Sequence, residues 1–533
     1  MTTTYDAIVI GAGLNGLATA AYLAKGGLKV LVLERREVVG GVAATEEVFP
    51  GFKFDTVAHS VGTLPVEVVR DLNLAQHGLE ILRGETTVFT PLPDGKHLLL
   101  WHDFSRTVES IRRHSAHDAE QWSAFCQRML RFTTFLETLH GVVLPSITTT
   151  DLNDLLKIAG LGRAVQQLGQ QNLVEMLKTL PMPIAELLND WFEGEALKGT
   201  LGAAGITGSR LGPRATGTGY MFLHRHTGMK LGAFRSTGIV RGGMGNLAYA
   251  LVSAARLAGV DTRGGTGAAV ERILTHDYRA TGVVLKGGEE LSAKMIVSSA
   301  SPRHTFLNLL DPMELDVEFV RAARNFRAKG AFVKVNLALA GLPTFTALPG
   351  DGPHLRGTIS ISPTLNYLEQ ASDAYKYHQH SAKPYLEVVI PSLLDPSRAP
   401  EGQHTLSIWA QYFPYDIEGG WTDEKRKAVG DLVIGTLGEY APNLQSLISN
   451  SQILTPLDLE TTYGLPEGDP YHGEMMLDQL FFMRPVAGWG QYATPVAGLY
   501  LCGSGTHPGG ALMPGRNAAR QILSDLKAGN KSR

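Results

Sequence analysis

The chain of 533 residues carries 48 Lys and Arg against 51 Asp and Glu, a formal net charge of −3 at pH 7. These totals leave no excess of basic residues for binding nucleic acid, and a charged share of 19% beside a hydrophobic share of 44% argues against disorder. The length favours two or more lobes with substantial cores.

The two cysteines, Cys126 and Cys502, lie far apart and form no C-x-x-C motif. This excludes a disulfide framework and a redox-active dithiol, and it fits a reducing, cytoplasmic compartment. We expect no secretory signal before the first apolar strand, and no run approaches the ~18 apolar residues that cross a bilayer. Contact with a membrane surface stays open.

The first apolar stretch, residues 8–35, reads IVIGAGLNGLATAAYLAKGGLKVLVLER. A short strand leads into Gly11, Gly13 and Gly16, which are spaced as G-x-G-x-x-G, and a helix is predicted over 15–25. The first glycine permits the turn, the second leaves room for a pyrophosphate, and the third lets the helix approach the sheet. The helix N-terminus would face the phosphates.

An acidic residue follows the next predicted strand, over 30–33. Glu34 falls about 20 residues beyond the glycine turn, where its carboxylate could accept hydrogen bonds from ribose hydroxyls. The same charge would repel a 2′-phosphate, which disfavours NADP and leaves FAD and NAD open. Gly40 and Gly41 then allow a second close approach to a ligand.

The region from about 104 to 200 has helical character. Apolar residues recur there at three- and four-residue spacing, as in Trp122, Phe125, Met129, Phe132 and Leu136. A second helix is predicted from Leu152, with capping candidates at 148–151, and a third over 183–193. These helices either belong to the ordinary protein core or form a lid over an apolar substrate. In the second case the outer face of the lid can rest on lipid.

From residue 238 the α/β pattern resumes with a glycine-rich turn, a helix over 246–257 and three short strands. A second glycine-rich loop stands near the end, in GLYLCGSGTHPGGALMPGRNAARQILSDL at 498–526, between a strand over 499–502 and a helix over 517–526. A chain that needs only NAD has little use for it. FAD has phosphates at one end and a flavin at the other, so the two loops together favour FAD.

On these motifs the whole chain resembles the phytoene desaturase-like FAD-dependent oxidoreductases. The branch called pyridine nucleotide-disulfide oxidoreductase domain-containing has a GTxxxxLHH stretch that resembles GTGYMFLHRHTG at 217–228. The resemblance implies an α/β fold, with a Rossmann-type FAD-binding domain of the glutathione-reductase type and an inserted mixed sheet and helical substrate domain. The implied FAD-binding parts are 1–80, 230–310 and 480–533, with a helical substrate or lid region over 81–229 and a substrate domain over 311–479.

The resemblance also implies roles for single residues. It places the pyrophosphate on Gly11, Gly13 and Gly16, the adenosine ribose on Glu34, and further cofactor contacts at Arg35 and Gly41, with the adenine against Val270. The ribityl chain and the flavin pyrimidine edge would lie on Gly503 and a turn formed by Met513, Pro514 and Gly515. Ser504 stands where many FAD enzymes carry an acid.

Flavin chemistry in such a fold transfers a hydride from a substrate carbon to flavin N5. An apolar polyene needs only a weak base, and the candidate residues are His59, Tyr220, His224, His226, Arg484 and His507. We predict that His224 and His226 share one face of a strand, and that Arg484 either clamps substrate or pairs with an acid. No metal site is predicted, because the two H-x-H pairs lack a third ligand at a readable spacing.

Three functions remain open at this stage. The first is a dehydrogenase or desaturase that acts on a long apolar isoprenoid- or lipid-like small molecule, with the helical region in contact with a membrane surface. The second is an amine oxidase-type enzyme that acts on a small polar substrate. The third is a flavin-binding partner of a larger assembly, with little turnover of its own.

Overall fold

A computed structural model describes residues 5–62, 64–145 and 152–531. The predicted helix-capping residues at 148–151 lie outside these ranges. Two seven-stranded sheets organise the described chain. The strands are β1 Tyr5–Ile10, β2 Val30–Leu33, β3 Thr45–Phe49, β4 Phe52–Asp55, β5 Ile81–Leu82, β6 Thr86–Pro91, β7 His97–Trp101, β8 Ile239–Val240, β9 Asp261–Arg263, β10 Val270–His276, β11 Arg279–Leu285, β12 Glu290–Ser298, β13 Phe332–Leu339, β14 Thr358–Ile361, β15 Tyr385–Val389, β16 His404–Gln411, β17 Ile448–Leu454 and β18 Leu499–Leu501.

Helices connect and cover these sheets. They are α1 Leu14–Lys25, α2 Val66–Asp71, α3 Phe104–Arg112, α4 Ala116–His140, α5 Leu152–Leu168, α6 Gln170–Thr179, α7 Ile184–Asn189, α8 Glu195–Gly202, α9 Thr218–Arg225, α10 Met244–Leu257, α11 Pro302–His304, α12 Val317–Asn325, α13 Leu365–Asp373, α14 Asp423–Gly438, α15 Leu444–Leu447, α16 Pro456–Tyr463 and α17 Met513–Lys531. Within the described residues, none of them is both long and apolar enough to cross a bilayer.

The first sheet has the order β10-β11-β12-β1-β2-β9, and β18 also pairs with β12. The central strand β1 runs parallel to both β2 and β12. Its side chains alternate between two cores, so that Val9 faces α1, α10 and α17 while Ile8 faces the opposite layer. The sheet therefore unites the beginning, the middle and the end of the chain.

The second sheet has the order β17-β13-β16-β15-β14-β6-β7. All of its pairs are antiparallel except β14 with β6, so the sheet is mixed. Strand β13 is buried throughout. Val333, Val335 and Leu337 enter an apolar core with residues of α14. Alternation along the strand places Lys334 and Asn336 on the opposite face.

The predicted helices of the 104–200 region are present, and the apolar stripe of α4 is buried as expected. Two local predictions were wrong. His224 lies in α9 and His226 caps it, so the pair does not share a strand face. Residues 513–515 form the first turn of α17 instead of a separate turn. The domain boundaries stay predictions.

Candidate functional site

The first glycine turn has the geometry that a dinucleotide needs. Gly11 has a φ of +93°, and Gly13 caps the N-terminus of α1 without a side-chain hydrogen bond. A Cβ atom on Gly16 would lie 2.1 Å from the Gly11 carbonyl oxygen, so only glycine lets the helix approach this closely. Gly40 donates a hydrogen bond to the Ala12 carbonyl at 2.9 Å, which brings the second glycine pair against the first.

The side chain of Glu34, directly after β2, is also held in place by hydrogen bonds. The buried Glu34 carboxylate accepts hydrogen bonds from the backbone N–H groups of Ala12, at 2.8 Å, and of Arg36, at 3.0 Å. Arg35 is exposed and donates to the Thr462 carbonyl at 3.0 Å. Val270 is half-buried at the start of β10. The cofactor contacts of Glu34, Arg35 and Val270 stay predictions.

The C-terminal loop meets the N-terminus of α1, although the two are almost the whole chain apart in sequence. The Asn15 side-chain amide donates to the Gly510 carbonyl at 2.9 Å, and the Thr19 hydroxyl donates to the Gly515 carbonyl at 3.1 Å. A Cβ atom on Gly515 would lie 2.3 Å from the Asn15 carbonyl oxygen. At the same loop, Gly503 packs against the Ser299 carbonyl.

These features fit an FAD molecule. The N-terminus of α1 has neither a side-chain cap nor an acidic residue in its first turn, so its N–H groups can bind phosphate. The buried Oδ1 atom of Asn15 has no hydrogen-bond partner in the described part of the chain, which leaves an acceptor at the junction of the two loops. Gly11, Gly13, Gly41 and the loop from Gly503 would hold the cofactor through their bare backbone.

A histidine cluster forms where α4, α9 and the C-terminal loop meet. It consists of His140, His224, His507, Tyr220 and Phe481, and the ring centroids of His140 and His224 are 5.0 Å apart. Burial lowers the pKa of His224 and of His507 to about 4. His140 was missed by sequence reasoning because it ends an otherwise ordinary amphipathic helix.

His226 has a different environment. Its Nε2 atom accepts a hydrogen bond from the Arg235 N–H at 2.9 Å, so its Nδ1 atom carries the hydrogen and donates to the Phe222 carbonyl at 2.7 Å. Burial lowers the pKa of His226 to about 3. Both ring nitrogens are occupied, and the side chain therefore positions the Arg235 segment.

Arg484 does not pair with an acid, since no ion pair between it and a carboxylate is found among the described residues, and its contact with substrate stays a prediction. It is completely buried, and burial lowers its pKa to about 10, so it stays cationic at neutral pH. Its guanidinium donates to backbone carbonyls of two segments, those of Tyr471, Gly473, Glu474 and Gln479 and those of Ser504 and Thr506. Arg484 thus ties the C-terminal loop to the preceding segment.

A group of titratable side chains lies inside the protein, apart from the histidine cluster. It is formed by Lys334 of β13, His59 and Glu387 of β15, and all three are buried. The Lys334 Nζ atom lies 2.7 Å from Nδ1 of His59, and His59 Nε2 lies 3.7 Å from Oε1 of Glu387. Arg225 and Arg235 bind the same carboxylate. Sequence reasoning missed Lys334 and Glu387, although a lysine inside the apolar run AFVKVNLAL is a readable signal.

Comparisons with known proteins agree with this geometry. The family model for flavin containing amine oxidoreductase matches residues 14–523. Pyridine nucleotide-disulfide oxidoreductase domain-containing protein 2 of Rattus norvegicus is 38% identical, over 98% of this chain and 94% of that protein. A limonene dehydrogenase subunit of Castellaniella defragrans is 29% identical over 98% and 95%, and phytoene desaturase of Fusarium fujikuroi is 25% identical over 97% and 89%.

Among solved structures, cyclohexylamine oxidase from Brevibacterium oxydans matches with a TM-score of 0.56 at 16% identity, covering 98% of this chain and 100% of that one. This similarity concerns the fold alone, a mixed α/β FAD-binding fold of the flavin amine oxidase kind. The resemblance inferred from the motifs is confirmed by the relatives. The chain belongs to the family of flavin-containing amine oxidoreductases and is an FAD-dependent oxidoreductase.

Proposed function

We propose that this protein is a dehydrogenase or desaturase that removes a hydride from a long apolar substrate of isoprenoid- or lipid-like chemistry. The observation that carries the proposal is the neutral and aromatic character of the histidine cluster. Two relatives support the same class by their names, the limonene dehydrogenase subunit and phytoene desaturase.

The composition of the cluster favours an uncharged ligand. The rings of Tyr220 and Phe481 lie 5.7 Å apart, and those of Phe481 and His507 lie 6.0 Å apart. At neutral pH the imidazoles of His224 and His507 carry no charge, given a pKa of about 4 for each. After burial, the positive charges of Arg484 and Arg225 also lower the pKa of His224. The same positive charges would repel a cationic ligand such as a protonated amine. Neutral aromatic linings are typical of sites for apolar ligands.

In this proposal bound FAD supplies the hydride acceptor. The protein holds the substrate against the cluster and keeps water away from it. His224 offers the polar contact, because its buried Nδ1 atom has no hydrogen-bond partner among the described residues. His507 lies in the C-terminal loop and is held at Nε2 by the Leu139 carbonyl at 3.1 Å, so that its ring has a fixed orientation.

Anaerobic reduction of the FAD-loaded protein tests the proposal. We expect an isoprenoid hydrocarbon in detergent micelles to bleach the flavin absorbance, and a primary amine to leave it unchanged. His224→Leu should slow bleaching, whereas His276→Leu, which changes an exposed histidine of β10, should not. Bleaching by the amine with release of peroxide would contradict the proposal.

A second candidate is an amine oxidase, which the family match and the structural similarity to cyclohexylamine oxidase favour. The same experiment separates the two, because each candidate predicts a different reductant. A flavin-binding partner with little turnover becomes the better description if neither substrate reduces the flavin and a pull-down recovers one protein stoichiometrically.

We further propose that helices α5 and α6 rest on a lipid surface. Leu156 of α5 and Leu177 of α6 are 63% and 59% exposed, and Leu155, Ile158 and Val174 are also exposed. No described side chain between 154 and 168 is buried. The apolar residues of α5 are spread over a wide arc of the helix surface. A lipid phase can surround such an arc, whereas a flat protein surface would cover only part of it. An apolar substrate would reside in the same phase.

Flotation with phosphatidylcholine vesicles tests this surface. Leu156→Gln combined with Leu177→Gln should reduce the bound fraction, while Leu257→Gln, which alters an exposed leucine of α10, should not. A dimer that forms without vesicles and dissociates in the double variant would instead assign the surface to a second copy of the chain.

A further inference from the structure

Two ring nitrogens of the histidine cluster are left without a hydrogen-bond partner. His140 is only 5% exposed, and its buried Nε2 atom meets no donor or acceptor in the part of the chain that the structure describes. Nδ1 of His224 is likewise unpaired among these residues. Most buried polar atoms of native proteins are paired, because an unpaired one has lost its hydration without compensation. Two such atoms in one cluster therefore point to a ligand.

The two rings lie close enough to bind the same group of a ligand. Their centroids are 5.0 Å apart, and their planes meet at 63°. A hydrogen bond joins two heavy atoms that are about 3 Å apart. At this separation of the rings, one ligand oxygen can reach a nitrogen of each.

The C-terminal part of the chain fixes the end of α4, which carries His140. The carbonyl of His140 accepts a hydrogen bond from Nδ2 of Asn517 at 2.8 Å, and the carbonyl of Leu139 accepts one from Nε2 of His507 at 3.1 Å. The last carbonyls of a helix have no partner within the helix, so these two bonds hold its end in place. A polar group that is already positioned loses little freedom when a ligand binds, which favours affinity.

The chemistry of the two imidazoles selects a neutral oxygen. An imidazole with the ordinary pKa of about 6.5 is already mostly neutral at pH 7, and burial lowers the pKa of His140 and of His224 further. A neutral imidazole has one nitrogen that donates and one that accepts, and a hydroxyl group also does both. A carboxylate only accepts, and it would bring a charge that neither histidine balances.

The surroundings of the two nitrogens are aromatic. The ring of Tyr220 stacks on that of His224, with centroids 5.7 Å apart, and Phe481 packs against both Tyr220 and His507. A ligand that suits the cluster is therefore apolar over most of its surface and carries one small polar group.

We propose that His140 and His224 bind a single hydroxyl group of the substrate, which makes the substrate an isoprenoid- or lipid-like alcohol. The inference rests on the proposed function for the apolar remainder of the molecule and adds the group that the protein recognises. A hydrocarbon with the same carbon skeleton leaves both nitrogens unpaired, so it binds more weakly.

Equilibrium binding to the FAD-loaded protein tests the proposal. The probes are radiolabelled geranylgeraniol, its deoxy hydrocarbon analogue and geranylgeranic acid, all in the same detergent micelles. The measured quantity is the ratio of the affinity for the alcohol to that for the hydrocarbon. This ratio is compared between proteins, because each probe partitions into the micelles equally whichever protein is present. His140→Phe keeps an aromatic ring without nitrogens and should lower the ratio about tenfold, which corresponds to one hydrogen bond.

His354→Phe is the matched control. His354 is 3% exposed and its buried Nε2 atom also lacks a partner within the described ranges, but its ring packs against Phe89 of β6. This variant should keep the wild-type ratio. An unchanged ratio in His140→Phe would overturn the proposal. A loss of affinity in His140→Phe that is larger for geranylgeranic acid than for the alcohol would also overturn it, since the site would then bind carboxylates.

Two further measurements keep the test decisive. Ligand-free His140→Phe should unfold at the wild-type temperature or above, because an unpaired buried polar group is replaced by an apolar one of similar shape; a merely structural role of the imidazole would lower that temperature. If His140→Phe does not fold, His224→Leu removes the other nitrogen, and the ratio in that variant decides.

Binding and reduction of the flavin separate this inference from the proposed function. If geranylgeraniol binds with the expected ratios but leaves the flavin oxidised under anaerobic conditions, recognition of the hydroxyl is supported and the proposed reaction is refuted. If the probes bleach the flavin but the ratio is the same in the wild type, His140→Phe and His224→Leu, the reaction is supported and recognition of the hydroxyl is refuted.

Discussion

The contact between the two glycine-rich segments can be tested at Gly515. Alanine there would place its Cβ atom 2.3 Å from the Asn15 carbonyl oxygen, more than an ångström inside an ordinary contact, and both atoms belong to helix ends. Overpacking of this kind costs about 1–3 kcal/mol. Alanine in a helix gains about 0.5–1 kcal/mol over glycine, so the clash should prevail.

Thermal unfolding and flavin content measure the effect together. Gly515→Ala should unfold at a lower temperature and retain less FAD, because the Thr19 contact with the Gly515 carbonyl at 3.1 Å would be strained. Gly435→Ala is the matched control, since Gly435 lies in α14 and its added Cβ would meet no described atom within 4 Å outside its own stretch of helix, so it should be neutral or stabilising. A Gly515→Ala protein with full flavin and an unchanged midpoint would refute the close approach.

Three further predictions concern buried charges. Acidification should destabilise the protein between pH 6.5 and about 4, since burial lowers the folded-state pKa of His507 and the unfolded chain binds more protons in that window; this shift amounts to about 3 kcal/mol. Asp469, with a pKa that burial raises to about 7, acts in the opposite direction, so a urea midpoint that rises from pH 7 to 5 would show that it outweighs the histidines. Asp55→Asn should cost about 3–5 kcal/mol because Arg398 loses its buried partner, and an unchanged urea midpoint would argue that the pair contributes nothing. Arg484→Lys should lower the free energy of unfolding by about 1–3 kcal/mol, since an ammonium group cannot reach all the carbonyls that the guanidinium binds. An unchanged unfolding temperature in calorimetry would contradict this prediction.

The parts of the fold that sequence reasoning predicted are those set by local chemistry. Gly11, Gly13 and Gly16 are each required within one turn, and the strand and helix around them follow from apolar spacing over a few residues. The C-terminal loop was predicted in the same way. The contact between the two glycine-rich segments at Asn15 and Gly515 could be inferred, because one FAD molecule is long enough to need a binding loop at its phosphates and another at its flavin.

The charged interior could not be predicted in this way. Lys334 and His59 are 275 residues apart, and no spacing rule relates a residue of β13 to one that follows β4. The same holds for His140 and His507, which meet only because α4 ends beside the C-terminal loop. Such contacts depend on how whole sheets and helices pack, and one sequence alone carries no signal for them.

The error at α9 has a mechanistic consequence. On a strand, His224 and His226 would have faced one surface together. On a helix, successive side chains are rotated by about 100°. His224 therefore joins the histidine cluster while Arg225 binds Glu387 at 3.1 Å, and His226 at the helix end holds the backbone of Arg235, a second partner of that carboxylate. One turn of helix thus connects the proposed substrate contacts with the buried Glu387 carboxylate.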